Sequence, residues 1–107
     1  MNQNETKVAV LKASGTRLDG YEAREMFGQT VECLKKGQSV VLDLTGVESL
    51  EVEATVWLGR LADSVSGQAV ALAGLAGKAL VQACAASLHS LPAYGTARAA
   101  ELDLASL

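Results

Sequence analysis

Short apolar runs at five places along the chain predict the strands of one sheet. Residues 7–12 are apolar between charged ends, and residues 16–18 follow them after a turn, so we expect these two strands to pair antiparallel. Residues 39–44 and 68–73 are almost continuously apolar, which is typical of strands buried on both faces. We expect these two to be adjacent, parallel and central, and residues 91–94 to add a last short strand.

Apolar residues at helical spacing predict four helices between and after these strands. The first covers residues 20–36, and the second follows the loop at residues 45–50. The third covers residues 76–88 and the fourth covers residues 97–104. Four residues of the second helix share its apolar face: Ala54, Leu58, Leu61 and Val65.

Capping signals support two of these helix starts. Asp19 is followed three residues later by Glu22, a pair that can satisfy the free amides at the start of the first helix. Gly37 is the expected stop of that helix, and Thr96 is a plausible N-cap for the fourth.

The alternation of strands and helices predicts an α/β fold. Strand–helix–strand units with short turns form parallel strands with right-handed crossovers, so we expect one mixed sheet of four or five strands with about four helices packed on it. The 107 residues are the size of one domain. We expect a flexible N-terminus over residues 1–6 and a single domain over residues 7–107.

Composition and charge narrow the classes of partner. Hydrophobic residues make up 50% of the chain, which is too apolar for intrinsic disorder. The net charge of −3 argues against binding to nucleic acid or to an anionic membrane surface, which both favour a basic excess. Residues 79–97 are uncharged but too polar and too rich in alanine for a membrane span, and residues 1–7 lack the apolar stretch of a signal peptide. We therefore expect a cytoplasmic protein with reduced thiols and no insertion into a membrane.

Residues that could carry catalysis or bind a metal are few. Cys33, Cys84 and His89 do not have the spacing of a zinc site. The two cysteines fall on or beside apolar helical faces, where we expect them to pack as small hydrophobes, and His89 is placed to cap a helix end. The chain has neither a nucleophile elbow nor a complete phosphate-binding loop. We expect no enzymatic activity, no catalytic residues, no cofactor and no metal.

The start of the second helix combines acids with one tryptophan. Glu48, Glu51 and Glu53 flank the helix start, where acids complement the helix dipole without any catalytic role. Trp57 lies beside the apolar face of that helix. Either it is buried at the edge of the core or it is an exposed anchor for a partner, since tryptophan is enriched where interfaces gain most of their binding energy.

Three motifs in this order resemble one known family. Residues 15–19 read Gly-Thr-Arg-Leu-Asp before the first helix, and residues 40–47 read Val-Val-Leu-Asp-Leu-Thr-Gly-Val. Residues 91–94 form a Leu-x-x-Tyr segment ahead of a short alanine-rich helix. Over almost the whole chain this order resembles a STAS domain, the family of sulfate transporters and anti-sigma-factor antagonists. The resemblance implies a STAS-like α/β fold and a non-enzymatic, regulatory, protein-binding adaptor.

The chain departs from the family at its switch residue. Anti-sigma-factor antagonists carry a phosphorylated Ser or Thr at the start of the second helix, and this chain has Val52 at that position. Val52 has no hydroxyl group, although Ser49 and Thr55 lie nearby. The resemblance therefore implies an adaptor that is not switched by phosphorylation at the usual position. A fixed charge from Glu51 and Glu53 in place of the phosphate is a further hypothesis.

The resemblance also implies the kind of partner. The first alternative is an anti-sigma factor or a histidine-kinase-like switch protein. The second is the ATPase of a lipid-transport complex, on which the chain would be an accessory subunit with Trp57 and Leu58 as contacts. A third alternative is a module that senses a small molecule, and the oligomeric state stays open. The predicted partner-binding residues are Ser49, Leu50, Glu51, Val52, Glu53, Thr55 and Trp57.

Overall fold

A computed structural model describes residues 8–65, 70–86 and 91–105, and it confirms the predicted α/β class with four helices. The predictions for residues 1–7, for the ends of the second and third helices and for His89 lie outside these residues. In chain order the elements are β1 (Val8–Lys12), β2 (Arg17–Leu18), α1 (Gly20–Lys35), β3 (Ser39–Asp43), β4 (Ser49–Leu50), α2 (Val52–Ser64), β5 (Val70–Ala73), α3 (Gly77–Ala85), β6 (Ala93–Tyr94) and α4 (Ala97–Ala105).

The main sheet has four strands in the order β1-β3-β5-β6, and every pair is parallel. The apolar strands β3 and β5 are adjacent and central, as the sequence predicts. In the register, Val41 of β3 lies between Val10 of β1 and Ala71 of β5. Burial on both faces explains why these two strands are continuously apolar rather than alternating.

The predicted antiparallel pairing of the first two strands is wrong. β2 pairs in parallel with β4 in a separate two-stranded sheet, with Arg17 opposite Ser49 and Leu18 opposite Leu50. The sheets that the structure describes are therefore purely parallel rather than mixed. The main sheet has four strands, within the predicted four or five, and β2 and β4 form the second sheet. The chain does not turn back directly after β1. Instead it continues alongside β3, where the Ala13 N–H donates to the Asp43 carbonyl at 3.0 Å. Burial of both Leu18 and Leu50 stabilises the β2–β4 pairing.

The strand order places three helices on one face of the main sheet and the last helix on the other. Right-handed crossovers that always step in the same direction along a sheet place their helices on the same side. On that side Leu42 and Leu72 pack with Leu58 and Leu61 of α2 in the larger core. The opposite face has a smaller core, in which α4 covers the sheet. Its buried residues are Val8, Val41, Ala71, Ala73, Ala100 and Leu104.

The same order has a consequence for ligand binding. Doubly wound folds bind ligands in a crevice that opens where the strand order reverses direction. The order β1-β3-β5-β6 has no reversal, so this crevice does not arise in the described sheet. Within the same residues, no helix is both long enough and apolar enough to cross a membrane.

The predicted caps at Asp19 and Thr96 are confirmed, but the Glu22 side chain does not complete the predicted pair with Asp19. The Asp19 carboxylate accepts a hydrogen bond from the Glu22 N–H at 2.8 Å, and the Thr96 hydroxyl accepts one from the Ala99 N–H at 3.1 Å. The Glu22 carboxylate bonds outside its own helix and accepts from the backbone N–H and the hydroxyl of Ser14 at 2.6 and 3.0 Å. These bonds fix the start of α1 to the turn before it.

Candidate functional site

The loop that leads from β3 to the start of α2 is held by the Asp43 carboxylate. Its Oδ1 accepts hydrogen bonds from the Thr45 N–H at 3.0 Å and from the Thr45 hydroxyl at 2.6 Å, and Lys12 Nζ lies 3.8 Å from Oδ2. Burial by itself would raise the pKa of Asp43, but the Thr45 hydrogen bonds and the Lys12 ammonium together lower it below the usual value. The carboxylate therefore stays charged, and keeps these bonds, at neutral pH.

The segment before α2 is clamped by a side chain from α3. The Leu50 N–H donates to Gln82 Oε1 at 2.7 Å, and Gln82 Nε2 donates to the Leu50 carbonyl at 3.0 Å. On its other side, the Glu51 N–H donates to the Leu18 carbonyl at 2.9 Å. The role of Gln82 cannot be read from the sequence, because nothing in the spacing of α3 connects it to a strand 32 positions earlier. The start of α2 is thus positioned by β2 and α3 together.

Val52 is the first residue of α2, and its side chain is 79% exposed. Glu51 occupies the N-cap position, but its side chain makes no capping hydrogen bond. Its carboxylate instead pairs with Arg17 of β2 at 2.8 Å. The Thr55 hydroxyl donates to the Val52 carbonyl at 2.6 Å. The helix therefore presents an apolar side chain at its first position, beside a charge that is already paired.

The pairing of Glu51 bears on the hypothesis of a fixed charge. A carboxylate that replaces a phosphate should be free to meet a partner, and the Glu51 carboxylate already contacts a guanidinium group. Glu53 is exposed, but its side chain packs on the backbone of Gly20 at the start of α1, where a Cβ on the glycine would lie 2.6 Å from the Glu53 Cβ. This hypothesis is left with one free carboxylate instead of two.

A shallow groove runs between α2 and α3 beside Val52. We call it the α2–α3 groove, and it is lined by Leu50, Val52, Thr55, Gln82, Ala85 and Ala86. Val56, one turn after Val52, is 49% exposed, and Val81, one turn before Ala85, is 67% exposed. Three exposed valines near one groove form an apolar surface of the kind that marks interaction sites.

Trp57 lies outside this groove. Five residues of helix turn the side chain by about 140° from Val52, which places Trp57 on the flank of α2 that faces α1. There it is half-buried, and its ring packs edge-to-face on Phe27 with the ring centres 5.5 Å apart. Trp57 is therefore an edge-of-core residue with a partly open face. Leu58 is 1% exposed, so the predicted role of Leu58 as a partner contact is wrong.

The predicted partner-binding residues are thus divided between two flanks of α2 and the strand before it. Val52 and Glu53 are exposed, whereas the Leu50 side chain is buried and can contribute only through its backbone. Four of the predicted residues are partly exposed: Ser49, Glu51, Thr55 and Trp57.

The cysteines differ in their surroundings. Cys33 is half-buried and packs on the larger core, as predicted, but Cys84 is exposed and the prediction of a packed thiol there is wrong. The buried residues of α3 are Ala79 and Ala83. Cys84 is the residue after Ala83, so its side chain points away from this buried face. Over residues 8–65, 70–86 and 91–105, no three His, Cys, Asp or Glu side chains form a cluster that could hold a metal ion.

Comparison with known proteins adds no family assignment. The chain matches no protein-family model and no curated protein. The resemblance to a STAS domain therefore stays a prediction, and the function is argued from the residues of the site.

Proposed function

We propose that the protein is a non-enzymatic, protein-binding adaptor of the STAS type that binds its partner through the α2–α3 groove. The observation that carries the proposal is the exposed apolar surface at the start of α2, with Val52 at its edge. The Gln82 clamp and the β2–β4 pairing hold this surface in one conformation before a partner arrives. Preorganisation of this kind lowers the entropic cost of binding.

The lining of the groove favours binding over catalysis. General acid–base catalysis needs an ionisable side chain within hydrogen-bond reach of the substrate, and none of the residues that line this groove is ionisable. The valines and alanines favour the apolar centre of a protein–protein contact. A protein partner therefore fits the groove better than a small substrate does.

The partner we propose is a cytoplasmic switch protein of the anti-sigma-factor or histidine-kinase-like kind. The second alternative, an ATPase of a lipid-transport complex, loses one of its two suggested contacts because Leu58 is buried. Affinity capture on the immobilised protein, followed by mass spectrometry, distinguishes the two partners. A kinase-like partner supports the proposal, and an ATPase supports the alternative.

Phosphorylation is not expected to regulate this adaptor. Val52 has no hydroxyl group, the Thr55 hydroxyl is engaged with the Val52 carbonyl, and Ser49 is half-buried in β4. Incubation with ATP and the captured kinase-like partner should leave the intact mass unchanged. A stoichiometric phosphate on Ser49 or Thr55 would contradict this prediction and restore the family's usual switch.

Substitution Val52→Arg is expected to weaken binding of the captured partner at least about tenfold, because it places a cation at the positive end of the α2 dipole within an apolar contact. The fold should be retained, since the Val52 side chain is almost fully exposed. Isothermal titration measures the affinity, and circular dichroism checks the fold. The matched control is Gln29→Arg, which adds the same charge at an exposed position of α1 and should bind normally. Equal affinities of wild type and Val52→Arg would place the interface elsewhere.

A further inference from the structure

The half-buried ring of Trp57 has two arginines over it. The guanidinium carbon of Arg24, from α1, lies 5.9 Å from the ring centre, and that of Arg60, from α2, lies 5.1 Å from it. Both arginines are exposed. Cation–π attraction holds each guanidinium group near the ring. Two guanidinium groups from different helices therefore lie close to the same tryptophan ring.

Neither arginine forms an ion pair in the part of the chain that the structure describes. The positions three and four residues before and after Arg24 on α1 hold no acid: they are Gly20, Tyr21, Phe27 and Gly28. Asp63 is the one acid at such a position from Arg60, and it forms no salt bridge with it. The bidentate donor edges of both guanidinium groups are therefore open to an external carboxylate.

The seam between α1 and α2 continues from this cluster into a hollow. Gly28 leaves open space beside Phe27, and the hollow beyond it is lined by Val31, Leu34, Lys35, Ser64 and Val65. From Arg24 to Lys35 the helix rises about 16 Å, the length of roughly five extended residues. We call this strip, from Arg24 and Arg60 to Lys35, the α1–α2 seam.

We propose that the α1–α2 seam binds an acidic segment of a protein partner, about five residues long. Its carboxylates bind Arg24 and Arg60 beside the Trp57 ring, and an apolar side chain farther along fills the hollow near Lys35. Charge complementarity selects this occupant, because Arg24 and Arg60 carry unpaired positive charges beside the ring whereas the chain as a whole carries −3. At the two ends of the seam, Lys35 is paired with Glu32 at 3.5 Å and the Glu53 side chain packs at Gly20, so the carboxylates of the partner are expected at the two arginines. The net charge disfavours nucleic acid, the other common polyanion. Arginine and tryptophan together are also typical of the residues that dominate interface energies.

This site lies on the opposite flank of α2 from the α2–α3 groove, so it does not depend on the proposed function. The two can therefore fail separately. A variant that disrupts the groove, Val52→Arg, should leave binding at the seam unchanged.

Trp57 is the single tryptophan of the chain, so its fluorescence reports directly on the seam. The probe is the peptide acetyl-Glu-Glu-Gly-Leu-Leu-amide, and its matched control has Gln in place of both Glu residues. We expect a saturable change in Trp57 emission with the acidic probe and no saturable change with the control. The midpoint should move to higher peptide concentration as salt is added, because exposed charges are screened.

Substitutions identify the residues that bind the probe. Arg24→Gln and Arg60→Gln should each lower the affinity roughly threefold, and together roughly tenfold, which is the range for exposed ion pairs. Arg98→Gln, which removes an exposed arginine from α4 across the sheet, should have no effect.

Four results would overturn this proposal. The first is no saturable response to the acidic peptide, and the second is equal responses to the acidic and control peptides. The third is an equal midpoint with a single-stranded oligothymidine, which would make the seam a general site for polyanions. The fourth is a dimer, detected by sedimentation, that is lost in the Arg24→Gln/Arg60→Gln double variant, because the seam would then be an interface between two copies of this chain.

Discussion

Substitution Leu42→Asp is expected to unfold the protein. Leu42 is fully buried in the central strand β3, between Leu11 of β1 and Leu72 of β5. The change removes a core side chain, which costs about 2–5 kcal/mol, and adds the cost of burying an unpaired carboxylate. The sum of these two costs is comparable with the whole free energy of unfolding of a typical domain, which is roughly 5–15 kcal/mol. Far-UV circular dichroism and the amide spectrum by NMR should both show an unfolded chain.

The control for Leu42→Asp is Val10→Asp in the edge strand β1, where the side chain is already 39% exposed. The new carboxylate can reach water there, so we expect a folded protein with a loss of about 1 kcal/mol. A cooperative unfolding transition in Leu42→Asp close to that of wild type would contradict the central position of β3.

Substitution Gly74→Ala is expected to destabilise the protein by more than about 3 kcal/mol. A Cβ at this position would lie 2.6 Å from the backbone nitrogen and 2.7 Å from the Cα of Thr45. Thr45 cannot easily yield, because its N–H and hydroxyl are bonded to Asp43 and the neighbouring Leu44 N–H donates to the Ala73 carbonyl at 2.8 Å. Urea denaturation followed by circular dichroism measures the loss.

Gly37→Ala separates this clash from the effect of the backbone conformation. Gly37 has a φ of 81°, almost equal to the 80° of Gly74, but its Cβ would meet no atom within 4 Å. Its substitution should cost only the roughly 1–2 kcal/mol of placing an L-residue in the left-handed region. Equal losses in the two variants would show that the close approach of Gly74 to Thr45 does not contribute.

Features set by neighbours in sequence were predictable, and features set by distant partners were not. Asp19 and Thr96 cap their helices because the bonds reach only three residues along the chain. The apolar runs of β3 and β5 report burial directly. The partner of β2 was mistaken because the turn before Leu18 suggests a hairpin, whereas the actual partner, Leu50, lies 32 positions away.

The candidate site shows the same division. The resemblance to a STAS domain singled out Val52, and the structure places its side chain exposed at the first position of α2. The environment of Trp57 was ambiguous, because it depends on Phe27 and Arg24 of α1, and no pattern within α2 reveals which helix packs beside it. The Gln82 clamp could not be predicted either, because it depends on a contact between α3 and the distant strand β4.

The parallel pairing of all described strands also affects how fast the protein can fold. The closest paired residues in sequence, Leu72 of β5 and Ala93 of β6, are 21 positions apart, and the other strand pairs join residues about 30 positions apart. No described strand can therefore gain a ladder partner from a local hairpin, and each pairing must first close a long loop, at an entropic cost. Folding rates fall as contacts become less local, so this chain is expected to fold more slowly than a helical bundle of equal length. The helices α1 to α4, whose own hydrogen bonds are local, need no such loop closure.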